Sequence, residues 1–242
     1  MIVTTMSIST PSVRQLFSWH LGLVEVGPFV VGGLLLAVAT RVVIPRLVAQ
    51  GWDPLMAWFA SASGLVFAPL MVMGLGLLLS EAAPVTRERL WLRRPTRGDW
   101  KLVAQGVATV LVLDGLLAAA LRHVGVELAP SFLRVDATAD PAWVLAAWLP
   151  FFVLNVGAEE LVWRGVLLPR QERAWGSRAW LYQAMLWGGF HASMGAAVVL
   201  LTAPALMVVP FVVQRSRTLW TGVAIHAICN GPPFVLVALG IV

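Results

Sequence analysis

Apolar runs of about 20 residues, the length a helix needs to cross the hydrocarbon core of a bilayer, recur along this chain and exclude most soluble folds. They cover about residues 23–44, 55–79, 102–121, 142–168, 179–200 and 219–242, with a shorter run at 203–213. The short run holds Pro204 at its start and Pro210 inside, which marks it as broken or tilted. Composition agrees: 59% of residues are hydrophobic and 12% charged, with mean hydropathy +0.83, where a soluble domain carries about 25% charged residues. Because lipid cannot satisfy backbone N–H and C=O groups, such runs cross as helices. The expected fold is therefore all-α: a polytopic transmembrane helix bundle of about seven spans (six to eight), forming a single integral membrane domain over 1–242. Residues 1–22 read as a cytoplasmic N-terminal tail without a cleavable signal peptide, and the first apolar run as an uncleaved anchor.

The net charge of +5 reports orientation. With the N-terminus in the cytoplasm, thirteen basic residues fall on that side: Arg14, Arg87, Arg89, Arg93, Arg94, Arg97, Lys101, Arg164, Arg170, Arg173, Arg178, Arg215 and Arg217. Four fall outside, at Arg41, Arg46, Arg122 and Arg134, and this is the asymmetry of the positive-inside rule. The basic balance thus points to a lipid bilayer as partner and not to nucleic acid. One cysteine, Cys229, excludes an internal disulfide and reads as a small core residue. Sixteen arginines against one lysine, with abundant Ala, Val and Gly, suggest a GC-rich bacterial genome and hence a bacterial cytoplasmic membrane.

Against this apolar background one stretch stands out, Val156-Gly157-Ala158-Glu159-Glu160-Leu161-Val162-Trp163-Arg164-Gly165. A charge at the centre of a membrane helix costs roughly 2.5–3.5 kcal/mol on insertion scales, so three charges within six residues call for mutual pairing or a wet cavity. Glu160 and Arg164 are four apart and able to pair, whereas Glu159 has no obvious partner in its own helix. His191 falls mid-helix after Gly188-Gly189, and His226 and Asn230 share a face at i, i+4. At 1.5 Å per residue, Glu159, His191, His226 and Asn230 lie roughly 14, 18, 10 and 16 Å below the arginine-rich ends of their spans. A common depth predicts a polar cavity facing the cytoplasm. Asp114 reads as a lone acid able to line that cavity, and Glu25 as a helix-end residue facing headgroups.

Glu159-Glu160-xxx-Arg164, an aromatic-xxx-His ending at His191, and His226-xxx-Asn230 resemble, in this order, the three motifs of the CPBP intramembrane proteases. That family includes the type II CAAX prenyl endopeptidases and the bacteriocin-processing, bacteriocin-immunity and Abi-type membrane proteins. The resemblance covers about 142–231, with one departure: Trp187 stands where the family usually has phenylalanine, a change expected to alter packing and leave the chemistry alone. What the resemblance implies is hydrolysis of a peptide bond in a membrane-associated peptide or protein. Glu159 would be general base to a water also held by His191, and His226 and Asn230 would donate to the oxyanion. Glu160 with Arg164 would fix the helix and balance charge. No cofactor is obligatory in this reading and no stable protein partner is expected. A zinc-dependent alternative would use Glu159, His191 and His226 as ligands, although the HExxH motif is missing. Intramembrane carboxylates and histidines also mark ion pathways, so a non-proteolytic immunity or binding protein, or a proton- or ion-coupled transporter, is the alternative function.

Overall fold

The computed structural model describes residues 13–80, 91–135 and 140–239, and among them it contains helices and turns without a strand. Helix α1 (Val13–Val38) passes through a π-helical segment, Ala39–Val43, into α2 (Ile44–Ala49). Helix α3 (Pro54–Ala62) passes through a second, Ser63–Phe67, into α4 (Ala68–Ser80). Helix α5 spans Arg97–His123, and α6 (Pro141–Glu159) passes through a third π segment, Glu160–Leu167, into α7 (Leu168–Trp175). Helices α8 (Ala179–Phe190), α9 (Ala196–Ser216) and α10 (Leu219–Ala238) complete the bundle.

The starts of several helices follow from local sequence. Asp53-Pro54 and Asp140-Pro141 open α3 and α6, each aspartate accepting a backbone N–H while the proline occupies a position where no donor is needed. Thr96 and Asp99 form a reciprocal capping box at the start of α5. The π segments also have a sequence correlate: each ends two residues before a proline, at Pro45, Pro69 and Pro169. A helical proline offers no N–H to the carbonyl four residues back and crowds it. An i→i+5 turn moves that carbonyl aside, as in the bonds from Ile44 to Ala39, Ala68 to Ser63 and Leu168 to Trp163. Pro28, Pro150, Pro204 and Pro210 sit in α-helix without such a turn, so a proline alone is not sufficient.

Six segments among the described residues are long and apolar enough to cross a membrane: Val24–Ala49, Pro54–Gly76, Arg97–His123, Pro141–Phe190, Ala196–Ser216 and Leu219–Leu236. The fourth is 50 residues long; straight, it would run about 75 Å, more than twice the thickness of a hydrocarbon core. It folds back at Gly176, whose φ of +63° suits glycine, so that Gln183 of α8 meets Trp163 and Trp187 meets Glu159. The expected spans at 142–168 and 179–200 are thus arms of one hairpin.

The second arm differs from expectation. Helix α8 has 12 residues, about 18 Å, and unwinds at His191, so this histidine stands at a helix end and not mid-helix. Residues 192–194 form a single 3₁₀ turn before Gly195, at φ +104°, starts α9. Helix α9 then runs unbroken through Pro204 and Pro210, which removes the separate, broken segment expected at 203–213. Helix α1 begins at Val13 and takes in part of the expected tail. Residues 1–12, Arg87, Arg89 and Asp136 lie outside the described residues.

The arginine-rich end of the bundle is tied shut. Arg93 donates to both carboxylate oxygens of Asp99 at 2.8 and 2.9 Å and to the Ser216 carbonyl. Thr218 donates to the Arg93 carbonyl at 2.7 Å, and the Leu219 N–H to that of Trp91 at 2.7 Å. These bonds join the segment before α5 to the turn between α9 and α10.

Candidate active site

Glu159 is the last α-helical residue of α6 and is 2% exposed. Its Oε1 accepts from Asn155 Nδ2 at 2.9 Å, one turn earlier in the same helix, and its Oε2 accepts from the Trp187 indole at 2.5 Å. The expectation that Glu159 lacks a partner in its own helix is therefore corrected by Asn155. Trp187, expected to affect packing alone, is the hub of the site. Its ring lies 5.7 Å from that of His191 and 5.6 Å from that of His226, and the Arg164 guanidinium sits 3.6 Å over its face.

The next residue starts the π segment and faces elsewhere. Glu160 Oε1 lies 3.1 Å from Arg164 Nη1 and 2.8 Å from His226 Nδ1, and both charged side chains are 0% exposed. Since a carboxylate only accepts, Nδ1 of His226 is the donor, which leaves Nε2 for the cavity. The Glu160 carboxylate fits because position 222 is glycine: a Cβ there would stand 2.4 Å from Glu160 Oε2 and 2.7 Å from a Val213 methyl. The π turn is braced from outside as well. Gln183 donates at 2.6 Å to the Trp163 carbonyl and at 2.9 Å to Gln171, which donates at 3.0 Å to the Glu25 carbonyl.

His191 owes its geometry to the end of α8. Its Nδ1 lies 2.9 Å from the Trp187 carbonyl, which also accepts the His191 backbone N–H at 3.3 Å. A carbonyl cannot donate, so Nδ1 carries the proton and Nε2 keeps a free lone pair. Non-helical backbone at membrane depth is tolerated where it lines a cavity, and His191 and Met194 do so.

That cavity has a volume of about 440 Å³, and Glu159, His191, His226 and Asn230 all line it, together with Asn155 and Trp187. Asn230, one turn beyond His226 on α10, is exposed. From these polar groups the cavity runs between aromatic walls, including Trp58, Phe151 and Phe234, towards Ala129, Leu133 and Met194. This is the end that carries Arg41, Arg46, Arg122 and Arg134. The cavity extends away from the arginine-rich end, where buried Glu160, Arg164, Gln171 and Gln183 fill the space. Glu25 is 1% exposed against α7 and not at the headgroups. Asp114 stands near Cys229 of α10 and is not part of the cavity lining.

The zinc alternative would draw on Glu159, His191 and His226. No three His, Cys, Asp or Glu side chains among the described residues are grouped to hold a metal ion. Both oxygens of Glu159 accept hydrogen bonds, and Nδ1 of each histidine is engaged, which leaves Nε2 of both rings open.

Signals for the residues missed in the sequence are uneven. Asn155 was findable as the polar residue four before Glu159, whereas the indole donor, Gly222 and the Gln171–Gln183 pair depend on contacts between distant segments.

Residues 141–231 match the family model described as type II CAAX prenyl endopeptidase, Rce1-like. The matched segment, less than half of the chain, is similar to the CPBP family and supports a hydrolase of the CAAX-protease kind. No curated protein and no solved structure matches the chain.

Proposed function

Taking the Rce1-like segment as premise, we propose that this protein is an intramembrane endopeptidase that hydrolyses a peptide bond of a membrane-associated peptide or protein. The observation that carries the reading is the surroundings of Glu159. A carboxylate within the bundle is held by two donors, beside a histidine whose free Nε2 lone pair belongs to the same cavity wall.

In this mechanism a water lies between Glu159 and His191 Nε2. Glu159 takes one proton as the water oxygen bonds to the scissile carbonyl carbon, and His191 accepts a hydrogen bond from the remaining O–H. The carbonyl π electrons move to oxygen, and the oxyanion faces His226 Nε2, when that ring is protonated, and the Asn230 amide. Collapse of the tetrahedral adduct breaks the C–N bond, and the departing nitrogen takes the proton held by Glu159. Glu160 and Arg164 hold the His226 ring in position, the carboxylate accepting at Nδ1, as buried carboxylates do for catalytic histidines. A positioned base contributes about 10²–10⁴-fold and an oxyanion donor about 10²–10³-fold. No step runs through a metal. The charge bias supports a cytoplasmic N-terminus in a bacterial inner membrane.

The test compares peptide termini in native membranes containing the protein or its Glu159→Gln variant, which keeps the shape and removes the base. New termini that depend on Glu159 are expected. Cleavage undiminished in the variant would end the reading and favour a binding or transport role.

A further inference from the structure

We infer that the site is reached from the arginine-poor face of the bundle, so that its substrate is an extended apolar peptide segment emerging at the outer leaflet. The substrate part rests on the peptidase reading above; the access part rests on the structure of the two ends.

At the arginine-rich end, the described residues around Glu159 are tightly packed. Val162, Trp163, Leu167, Leu168, Val213 and Ile225 are 0% exposed. The Glu160–Arg164–His226 cluster follows Glu159 on that side, and Gln183 of α8 is bonded to Gln171 of α7. The Arg93 bonds to Asp99 and Ser216 close the outermost layer. At the other end, the walls are contributed by residues close to helix termini: Leu55 and Trp58 at the start of α3, Met194 in the unwound turn, and Phe234 near the end of α10. Ala129 and Leu133 of the connection after α5 form the rim, with Phe132 packed on Trp58 at 5.4 Å between ring centroids.

The positive-inside asymmetry then sets the side, because the sealed end carries most of the basic residues and the open end four arginines. Chemistry along the path sets the occupant. The titratable groups are confined to the inner end, and the outer part is aromatic and aliphatic apart from Thr202. A volume of about 440 Å³ is in the range of sites that enclose a small ligand, about 300–1,000 Å³. That suits a few apolar side chains of an extended peptide, with the scissile bond carried inward to Glu159. A soluble cytoplasmic peptide would meet the sealed end.

The single native cysteine, Cys229, lines this cavity and serves as a reporter. A membrane-impermeant maleimide is applied to intact spheroplasts and to inside-out vesicles. Two further single-cysteine chains are made in a Cys229→Ala background: Leu133→Cys at the rim, and Arg173→Cys, exposed at the arginine-rich end. The expected result is at least tenfold faster labelling of Cys229 and of Leu133→Cys in spheroplasts than in vesicles, with the reverse for Arg173→Cys. Faster labelling of the cavity positions in vesicles, no labelling of either from outside, or labelling of Arg173→Cys in spheroplasts overturns the inference. Labelling needs no turnover, so the same measurement on Glu159→Gln separates the two claims. Outer-face labelling without Glu159-dependent cleavage removes the peptidase reading and with it the substrate, while cleavage with inner-face labelling removes the access.

Discussion

The indole N–H of Trp187 donates to Oε2 of Glu159 at 2.5 Å, joining the end of α8 to the end of α6. The contact crosses the hairpin that turns at Gly176, and it couples two things the sequence presents separately, a carboxylate and an aromatic residue near a histidine. It also explains how Glu159 keeps one orientation while Glu160, its neighbour, serves a different cluster.

Trp187→Phe keeps the ring and deletes the donor. A hydrogen bond to a charged group contributes about 1.5–3 kcal/mol, so kcat is expected to fall about 10- to 100-fold at nearly constant KM. Steady-state kinetics on a cleaved peptide checks this. A wild-type kcat would mean that Asn155 alone orients the carboxylate.

Gly222→Ala places a methyl group 2.4 Å from Glu160 Oε2 and 2.7 Å from a Val213 methyl. Glu160 cannot swing away without leaving Arg164 and His226, so the strain falls on that cluster. Overpacking of this kind costs about 1–3 kcal/mol. A lower melting temperature in detergent and a kcat reduced at least tenfold are expected. Unchanged melting would show that α10 shifts freely.

Chelation should leave activity intact. Glu159 is oriented by Asn155 and Trp187, and the proposed reaction has no step that needs a metal. Turnover in EDTA or phenanthroline equal to that in buffer is the expected outcome. Loss of activity that added zinc restores would reinstate the Glu159, His191 and His226 ligand set.

Much of this architecture was legible because charge in lipid is rare and helical spacing is simple. Glu160 and Arg164, four apart, pair as expected, and the apolar runs mark the helical segments. The interruption at His191 was not legible, since the flanking residues are apolar apart from Ser193 and carry no period that could locate a break; Gly188, Gly189 and Gly195 were the available signal. Pro204 and Pro210 misled in the opposite direction, because a membrane helix tolerates proline when its neighbours cover the freed carbonyls. The partner of His226 was hidden too: Glu160 reaches it across 66 positions of chain, through a gap that Gly222 leaves open. The end towards which the cavity extends was not legible, because depth along a helix does not say which end is filled by packed side chains.

Pro169 gives the last prediction. It follows the π segment by two residues, and the i→i+5 bond from Leu168 to Trp163 sits where an α-helical register would bring the Gly165 carbonyl against the proline ring. Proline inside a helix costs about 3 kcal/mol relative to alanine. Pro169→Ala therefore removes a penalty and restores the missing donor, so stability is expected to hold or rise. Rewinding the segment as α-helix would turn one flank against the other by about 100°, the angle of one residue, carrying Glu160 and Arg164 away from His226. Activity is expected to fall at least tenfold while the melting temperature does not drop. Gln183→Leu, which withdraws the amide from the Trp163 carbonyl, is expected to deepen that loss when combined with Pro169→Ala. Wild-type kcat in the double variant would show that neither the proline nor the buried amide holds the π turn, and that the Glu160 cluster is maintained by its own charges.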